Sequence, residues 1–151
     1  MKVEHIADMN DIEILLVEDN PYDAEMTINT LKNHNLANRL HHVRDGAEAL
    51  DFVFRDGAYA DRNQVLQPKV ILLDLKLPKL NGIEVLHKIK SNETTKTIPV
   101  VILTSSTEDR DMVECYKLGV NSYIVKPVVF EAFAKTVAEL GFYWMFLNKI
   151  P

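Results

Sequence analysis

Three runs of apolar, largely β-branched residues constrain this chain more than any other feature. They are Ile12-Glu13-Ile14-Leu15-Leu16-Val17, Val70-Ile71-Leu72-Leu73 and Val100-Val101-Ile102-Leu103. Near-continuous runs of this length fit strands buried on both faces, as in a parallel sheet with helices on either side. Leu40 to Val43 and Tyr123-Ile124-Val125 read as two weaker strands. Helical segments lie between them. Pro21 stands at a helix start, followed by Ala24, Ile28 and Leu31 on one face. Ala47, Leu50 and Phe54 mark a second helix, and Ile83, Leu86 and Ile89 a third. A less periodic fourth runs from about Glu108 to Leu118 and stops at Gly119. The fifth, from about Val128 to about Asn148, is the longest. Strands alternating with helices in this way predict an α/β fold, a doubly wound five-stranded parallel sheet with five helices. Function is then expected at the carboxyl ends of the strands.

Composition narrows the setting. A chain of 151 residues, 47% hydrophobic and 26% charged, is expected to form one domain over residues 1–151, with a core of about 12–140 and a C-terminal helical extension to 151. Seventeen basic against 22 acidic side chains give 17 − 22 = −5, which offers no electrostatic reason to seek nucleic acid or an anionic membrane. The single cysteine, Cys115, has no partner for an internal disulfide. The N-terminus lacks a signal-peptide pattern, and no apolar run approaches the ~18 residues of a membrane span. A cytoplasmic protein is the expectation. The polar connection from Asp56 to Lys69 reads either as a partner-binding loop or as a tolerated insertion.

The residues that end the strands carry the chemistry. The first strand runs into Glu18-Asp19, the third into Asp74, the fourth into Thr104-Ser105 and the fifth into Lys126-Pro127. Singly, each has an ordinary explanation. An acidic pair caps a helix, an aspartate makes a turn, hydroxyls cap, and a lysine is solvated. In a parallel sheet, however, these ends share one edge, so three carboxylates, one or two hydroxyls and an ammonium converge there. Clustered carboxylates repel one another and call for a cation. Oxygen ligands with open positions suit Mg²⁺, which keeps waters and holds phosphate. A carboxylate beside Mg²⁺, a lysine and a hydroxyl is equipped to attack phosphorus and become an aspartyl phosphate.

The segments Ile14 to Pro21, Leu72-Leu73-Asp74-Leu75-Lys76-Leu77-Pro78, Asn81-Gly82, Val101 to Ser105 and Tyr123 to Pro127 resemble the receiver domains of two-component signalling in order and spacing. The resemblance covers about Glu13 to Leu140 and implies the flavodoxin-like receiver fold. It implies Asp74 as phosphoacceptor for a histidine kinase, and Asp19 and Asp74 as direct Mg²⁺ ligands. Glu18 would act through water, and the backbone carbonyl of Lys76 would complete the protein ligands. It further implies that Thr104 hydrogen-bonds the phosphoryl group, that Lys126 pairs with it, and that the Lys126-Pro127 bond is cis. Tyr123 matches the aromatic that rotates inward on activation; read by itself, it is a strand-edge tyrosine with a wet hydroxyl. Such a domain catalyses only its own phosphorylation and dephosphorylation, and switches contacts with another protein.

Two departures stand out. The first acidic residue is Glu18 where Asp is commoner, which lengthens its reach. Lys76 occupies a position that is often uncharged; its ammonium is expected near the phosphorylation site, where it would alter the lifetime of the aspartyl phosphate, the other reading being a side chain turned to solvent. The Asp56 to Lys69 connection, Ala37-Asn38-Arg39-Leu40 and the ending Phe142-Tyr143-Trp144 resemble small stand-alone regulators paired with phytochrome-type histidine kinases.

Three other readings fare worse. A phosphatase of the haloacid dehalogenase type needs a second aspartate two residues after its nucleophile, where Lys76 stands, and a nucleophile on the first strand. A flavodoxin-like cofactor binder needs a glycine- and hydroxyl-rich phosphate loop, and Glu18-Asp19-Asn20-Pro21 would repel phosphate. An inert receiver-like module has no use for Asp74, Thr104 and Lys126 together.

The C-terminal helix carries more apolar surface than one core needs. Phe130, Phe133, Val137, Leu140, Trp144 and Leu147 follow three-four spacing. Phe142, Tyr143, Met145, Phe146 and Ile150 fall largely off that stripe. This cluster either folds back over the domain or, as favoured here, forms a homodimer surface centred on Phe142, Tyr143 and Phe146.

Overall fold

The structure is a computed structural model describing residues 14–34, 39–61, 67–77, 79–105 and 114–140. Five strands form one parallel sheet: β1 (Ile14–Val17), β2 (Leu40–Val43), β3 (Val70–Asp74), β4 (Val100–Thr104) and β5 (Ser122–Val125). Their order is β2-β1-β3-β4-β5. The helices are α1 (Pro21–Lys32), α2 (Gly46–Phe54), α3 (Gly82–Lys90), α4, described at residues 114–117, and α5 (Phe130–Leu140). The expected doubly wound α/β architecture is therefore present.

The apolar runs form strands because both of their faces find cover. Leu15, Val17, Ile71, Leu73, Val100 and Ile102 face one layer, with Phe52, Val53, Val85, Leu86 and Ile89 packed against them. Ile14, Leu16, Val70, Leu72, Val101 and Leu103 face the other, against Ala24, Leu31 and Phe133. This is the two-residue alternation of a strand with both sides apolar.

Local signals set the helix starts. The Asn20 side chain accepts from the Asp23 amide at 3.0 Å, with Pro21 at the first helical position. Asp45 caps α2 through the Glu48 amide at 2.7 Å. Asn81 and Glu84 form a reciprocal capping box on α3. Gly119, at φ +94°, follows α4 where a stop was expected.

The second helix forms where Ala47, Leu50 and Phe54 mark it, and the docked sheet selects the face it buries. Ala47, Leu50 and Phe54 are only half-buried, and the buried face is Gly46, Ala49, Phe52 and Val53. Both stripes are apolar, and the sheet takes the one that carries Phe52, leaving Leu50 at the flank of the core. The long connection before β3 is fastened at both ends. A 3₁₀ turn at Gly57–Tyr59 sets the Tyr59 ring 5.0 Å from Phe52, and its hydroxyl donates to Glu48 Oε2 at 2.8 Å. The Gln67 amide donates to the Val53 carbonyl at 2.8 Å.

Of the stripe expected on α5, Phe133 is buried and Phe130 half-buried. The proposed dimer residues Phe142, Tyr143 and Phe146 lie outside the described residues. Among the described residues, no helix is long and apolar enough to cross a membrane.

Candidate phosphoacceptor and metal site

The sheet register assembles the site. Val17 pairs with Leu73, so the next residues, Glu18 and Asp74, are level. Asp74 pairs with Leu103 and Thr104 with Val125, which brings Thr104 and then Lys126 to the same edge. The chain crosses from β1 to β2 on one side and to β3 on the other, so the β1/β3 boundary is the switch point where ligands bind in open α/β sheets.

Glu18 is fully buried and Asp74 is 4% exposed, while Asp19 is exposed at the mouth. One carboxylate oxygen from each lies within 4.8 Å of the other two. Lys126 reaches into this cluster from β5. Its Nζ is 3.0 Å from Glu18 Oε1, 3.0 Å from Asp23 Oδ2 and 3.3 Å from Asp74 Oδ2. Burial pushes the Glu18 carboxyl up to about 7; a hydrogen bond and the charge of Asp74 act in the same direction, and Lys126 opposes them. Burial by itself would lower the Lys126 pKa. Hydrogen bonds to Asp23 and Glu18, with the charges of Asp74 and Glu18, outweigh it, so the ammonium stays charged.

Backbone contacts hold the carboxylates in place. Asp74 Oδ1 accepts from the Lys76 amide at 3.3 Å, and Glu18 Oε2 from the Asn20 amide at 3.3 Å. Thr104 is buried at the end of β4, and its carbonyl accepts from the Lys126 amide at 2.7 Å. Ser105 is exposed. The Lys126-Pro127 bond is cis, as expected. It is the Lys76 amide that touches Asp74, whereas the Lys76 side chain is exposed. Tyr123 is 41% exposed, its ring edge-on to Tyr116 with centroids 6.2 Å apart.

Sequence reasoning passed over two residues. Asp23 completes the ring of carboxylates around Lys126, and the only local hint was an acid in the first turn of a helix. His42, on β2, donates from Nε2 to the Glu18 carbonyl at 2.8 Å, which fixes the backbone at the acidic pair.

The donor set fits a hard divalent cation. Glu18, Asp19 and Asp74 offer oxygens only, and the Lys126 ammonium already stands in as positive charge against two of them.

Sheet order and pocket together define the class: a doubly wound α/β domain with a lysine-bridged carboxylate cluster at its switch point. The response regulator receiver domain family matches residues 14–138, and the chain belongs to that family. It is 41% identical over 139 residues to the probable methanogenesis regulatory protein FilR2 of Methanothrix harundinacea (strain 6Ac), covering 91% of this chain and 86% of that protein. It is 38% identical over 138 residues to the response regulator Rcp1 of Synechocystis sp., covering 91% and 92%. Among solved structures, the bacteriophytochrome response regulator RtBRR is similar with TM-score 0.80 and 50% identity, over 87% of this chain and 78% of that one. Rcp1 has been solved in an Mn²⁺-bound form (TM-score 0.73, 38% identity, 89% and 94% covered). The cyanobacterial phytochrome response regulator RcpA has been solved phosphorylated (TM-score 0.71, 37% identity, 93% and 97% covered). The resemblance to phytochrome response regulators, drawn from segments that carry no chemistry, is borne out.

Proposed function

We propose that this chain is a stand-alone, cytoplasmic response regulator that takes a phosphoryl group from a histidine kinase onto Asp74 and thereby switches its contacts with other proteins. The observation that carries the reading is the placement of the Asp74 carboxylate, within 4.8 Å of the Glu18 and Asp19 oxygens and 3.3 Å from the Lys126 ammonium. Asp19, Asp74 and the Lys76 carbonyl would hold Mg²⁺ directly, with Glu18 acting through water. When bound, the ion offsets negative charge on the phosphoryl oxygens.

An Asp74 carboxylate oxygen attacks phosphorus as the phosphorus–nitrogen bond of the kinase phosphohistidine breaks. The electron pair of that bond returns to the imidazole, and the product is an aspartyl phosphate. Lys126 pairs with the phosphoryl oxygens, and Thr104 donates its hydroxyl to them. Tyr123, outward here, turns in as Thr104 moves. The chain has no other substrate: it catalyses only the gain and loss of its own phosphoryl group. Its relatives RtBRR and RcpA support a phytochrome-type kinase as donor. A homodimer through Phe142, Tyr143 and Phe146 is the form in which the switched face would act.

Phosphotransfer tests this reading. A purified, autophosphorylated phytochrome-type histidine kinase, labelled on its phosphohistidine, should pass label to the chain when Mg²⁺ is present and keep it when the ion is chelated. Label retained on every such kinase tried, with Mg²⁺ present, would argue against the proposed donor.

A further inference from the structure

Asp23 is the third residue of α1, and its amide is held by the Asn20 side chain at 3.0 Å. From that fixed backbone its carboxylate reaches Lys126, with Oδ2 3.0 Å from Nζ. The same ammonium contacts Glu18 and Asp74, yet Asp23 is absent from the group of carboxylates whose oxygens converge as a metal site. The environments differ as well. The Glu18 and Asp74 side chains are 0% and 6% exposed, whereas that of Asp23 is 34% exposed.

One ammonium is thus shared between two carboxylates of the cluster and one outside it. The Lys126 backbone cannot carry the charge away, because its amide is bonded to the Thr104 carbonyl at 2.7 Å. A divalent cation entering among Glu18, Asp19 and Asp74 is repelled by an ammonium resting on two of the same side chains. Asp23 offers that ammonium a carboxylate for which the cation does not compete.

We propose that Asp23 is a positioning residue: it holds the Lys126 ammonium at the rim of the site, so that Mg²⁺ can occupy the carboxylates while the lysine stays within reach of Asp74. This rests on the metal site proposed above. An acid in the first turn also stabilises α1 through the helix dipole, whatever Lys126 does. Any test must therefore separate an action through Lys126 from a bare charge.

A double-mutant cycle read by Mg²⁺ affinity makes that separation. Titration calorimetry with Mg²⁺ alone would be run on the wild type, Asp23→Asn, Lys126→Met and the double variant. Asp23→Asn should weaken Mg²⁺ binding several-fold, because the ammonium then falls back on Glu18 and Asp74. In the Lys126→Met background the same substitution should lose most of its effect. Asp23→Glu, which keeps a carboxylate able to reach Lys126, should bind Mg²⁺ close to wild-type strength and serves as the control for folding. Equal weakening in both backgrounds would reduce Asp23 to a nearby charge and overturn the proposal, as would no weakening at all. A wild type that takes up no Mg²⁺ at millimolar concentration would instead sink the metal site itself, and the role of Asp23 with it.

Discussion

The Lys126 ammonium stands 3.0 Å from Glu18 Oε1, although the two residues are 108 positions apart in the chain. Parallel register brings them together: Glu18 follows β1, Lys126 follows β5, and β3 and β4 between them end at the same level. The lysine is the internal counter-ion of a carboxylate cluster that a metal would otherwise neutralise.

Divalent cations should therefore stabilise the fold. Mg²⁺ binds the assembled carboxylates and has no comparable site in the unfolded chain. At ~100 times its dissociation constant the gain is about 2.7 kcal/mol. Thermal melts at neutral pH should show a rise in Tm with millimolar Mg²⁺, and Asp19→Asn should remove most of it. An unchanged Tm in the wild type would contradict the metal site.

Gly82 is held to glycine by packing rather than by φ. A Cβ there would come within 2.5 Å of the Asp74 carbonyl oxygen and 2.6 Å of Leu75 Cα, both backbone atoms. Gly82→Ala must push α3 away from the end of β3, at a cost of about 1–3 kcal/mol for overpacking. Denaturant unfolding should show that loss. Because the displaced strand end carries Asp74, autophosphorylation from acetyl phosphate should slow as well.

Strand positions and strand-end chemistry were readable because they are local: a β-branched run followed by Glu18-Asp19, Asp74 or Lys126 declares itself without its partners. Asp23 did not declare itself, since its role depends on Lys126, 103 residues away. Which face of α2 is buried was not legible, because Ala47, Leu50 and Phe54 are as apolar as Ala49, Phe52 and Val53, and only the docked sheet chooses between them. The tethering of the Asp56 to Lys69 connection through Tyr59 and Gln67 likewise needs tertiary contacts that no local pattern encodes.

Asp45 gives a pH test away from the site. Its carboxylate accepts the Glu48 amide and pairs with Lys79 Nζ at 3.3 Å, and the amide contact leads in holding its pKa below 3.8. A depressed folded pKa means stability present above the unfolded value of 3.8 and lost as pH falls through the folded one. Asp45→Ala should cost about 0.5–2 kcal/mol at neutral pH. Asp45→Asn should keep most of the cap. Both variants should fall closer to the wild type as pH drops through the folded pKa of Asp45, where the wild-type carboxylate is itself protonated. Urea midpoints measured from neutral pH downward would check this, and a gap that stays constant with pH would contradict it.

Self-association should depend on the C-terminal aromatics. In analytical ultracentrifugation the wild type should dimerise at micromolar concentration, and Phe142→Ala/Phe146→Ala should shift the equilibrium toward monomer. A wild type that remains monomeric at high micromolar concentration, with and without phosphorylation, would exclude the dimer.

The central claim is that Asp74 carries the phosphoryl group, and intact mass spectrometry after incubation with acetyl phosphate and Mg²⁺ tests it most directly. Asp74→Asn keeps the size and burial of the side chain but removes its nucleophilic oxygen. The wild type should gain one phosphoryl group, lose that gain when Mg²⁺ is chelated beforehand, and Asp74→Asn should gain none. An Asp74→Asn protein phosphorylated at the wild-type rate would contradict the account.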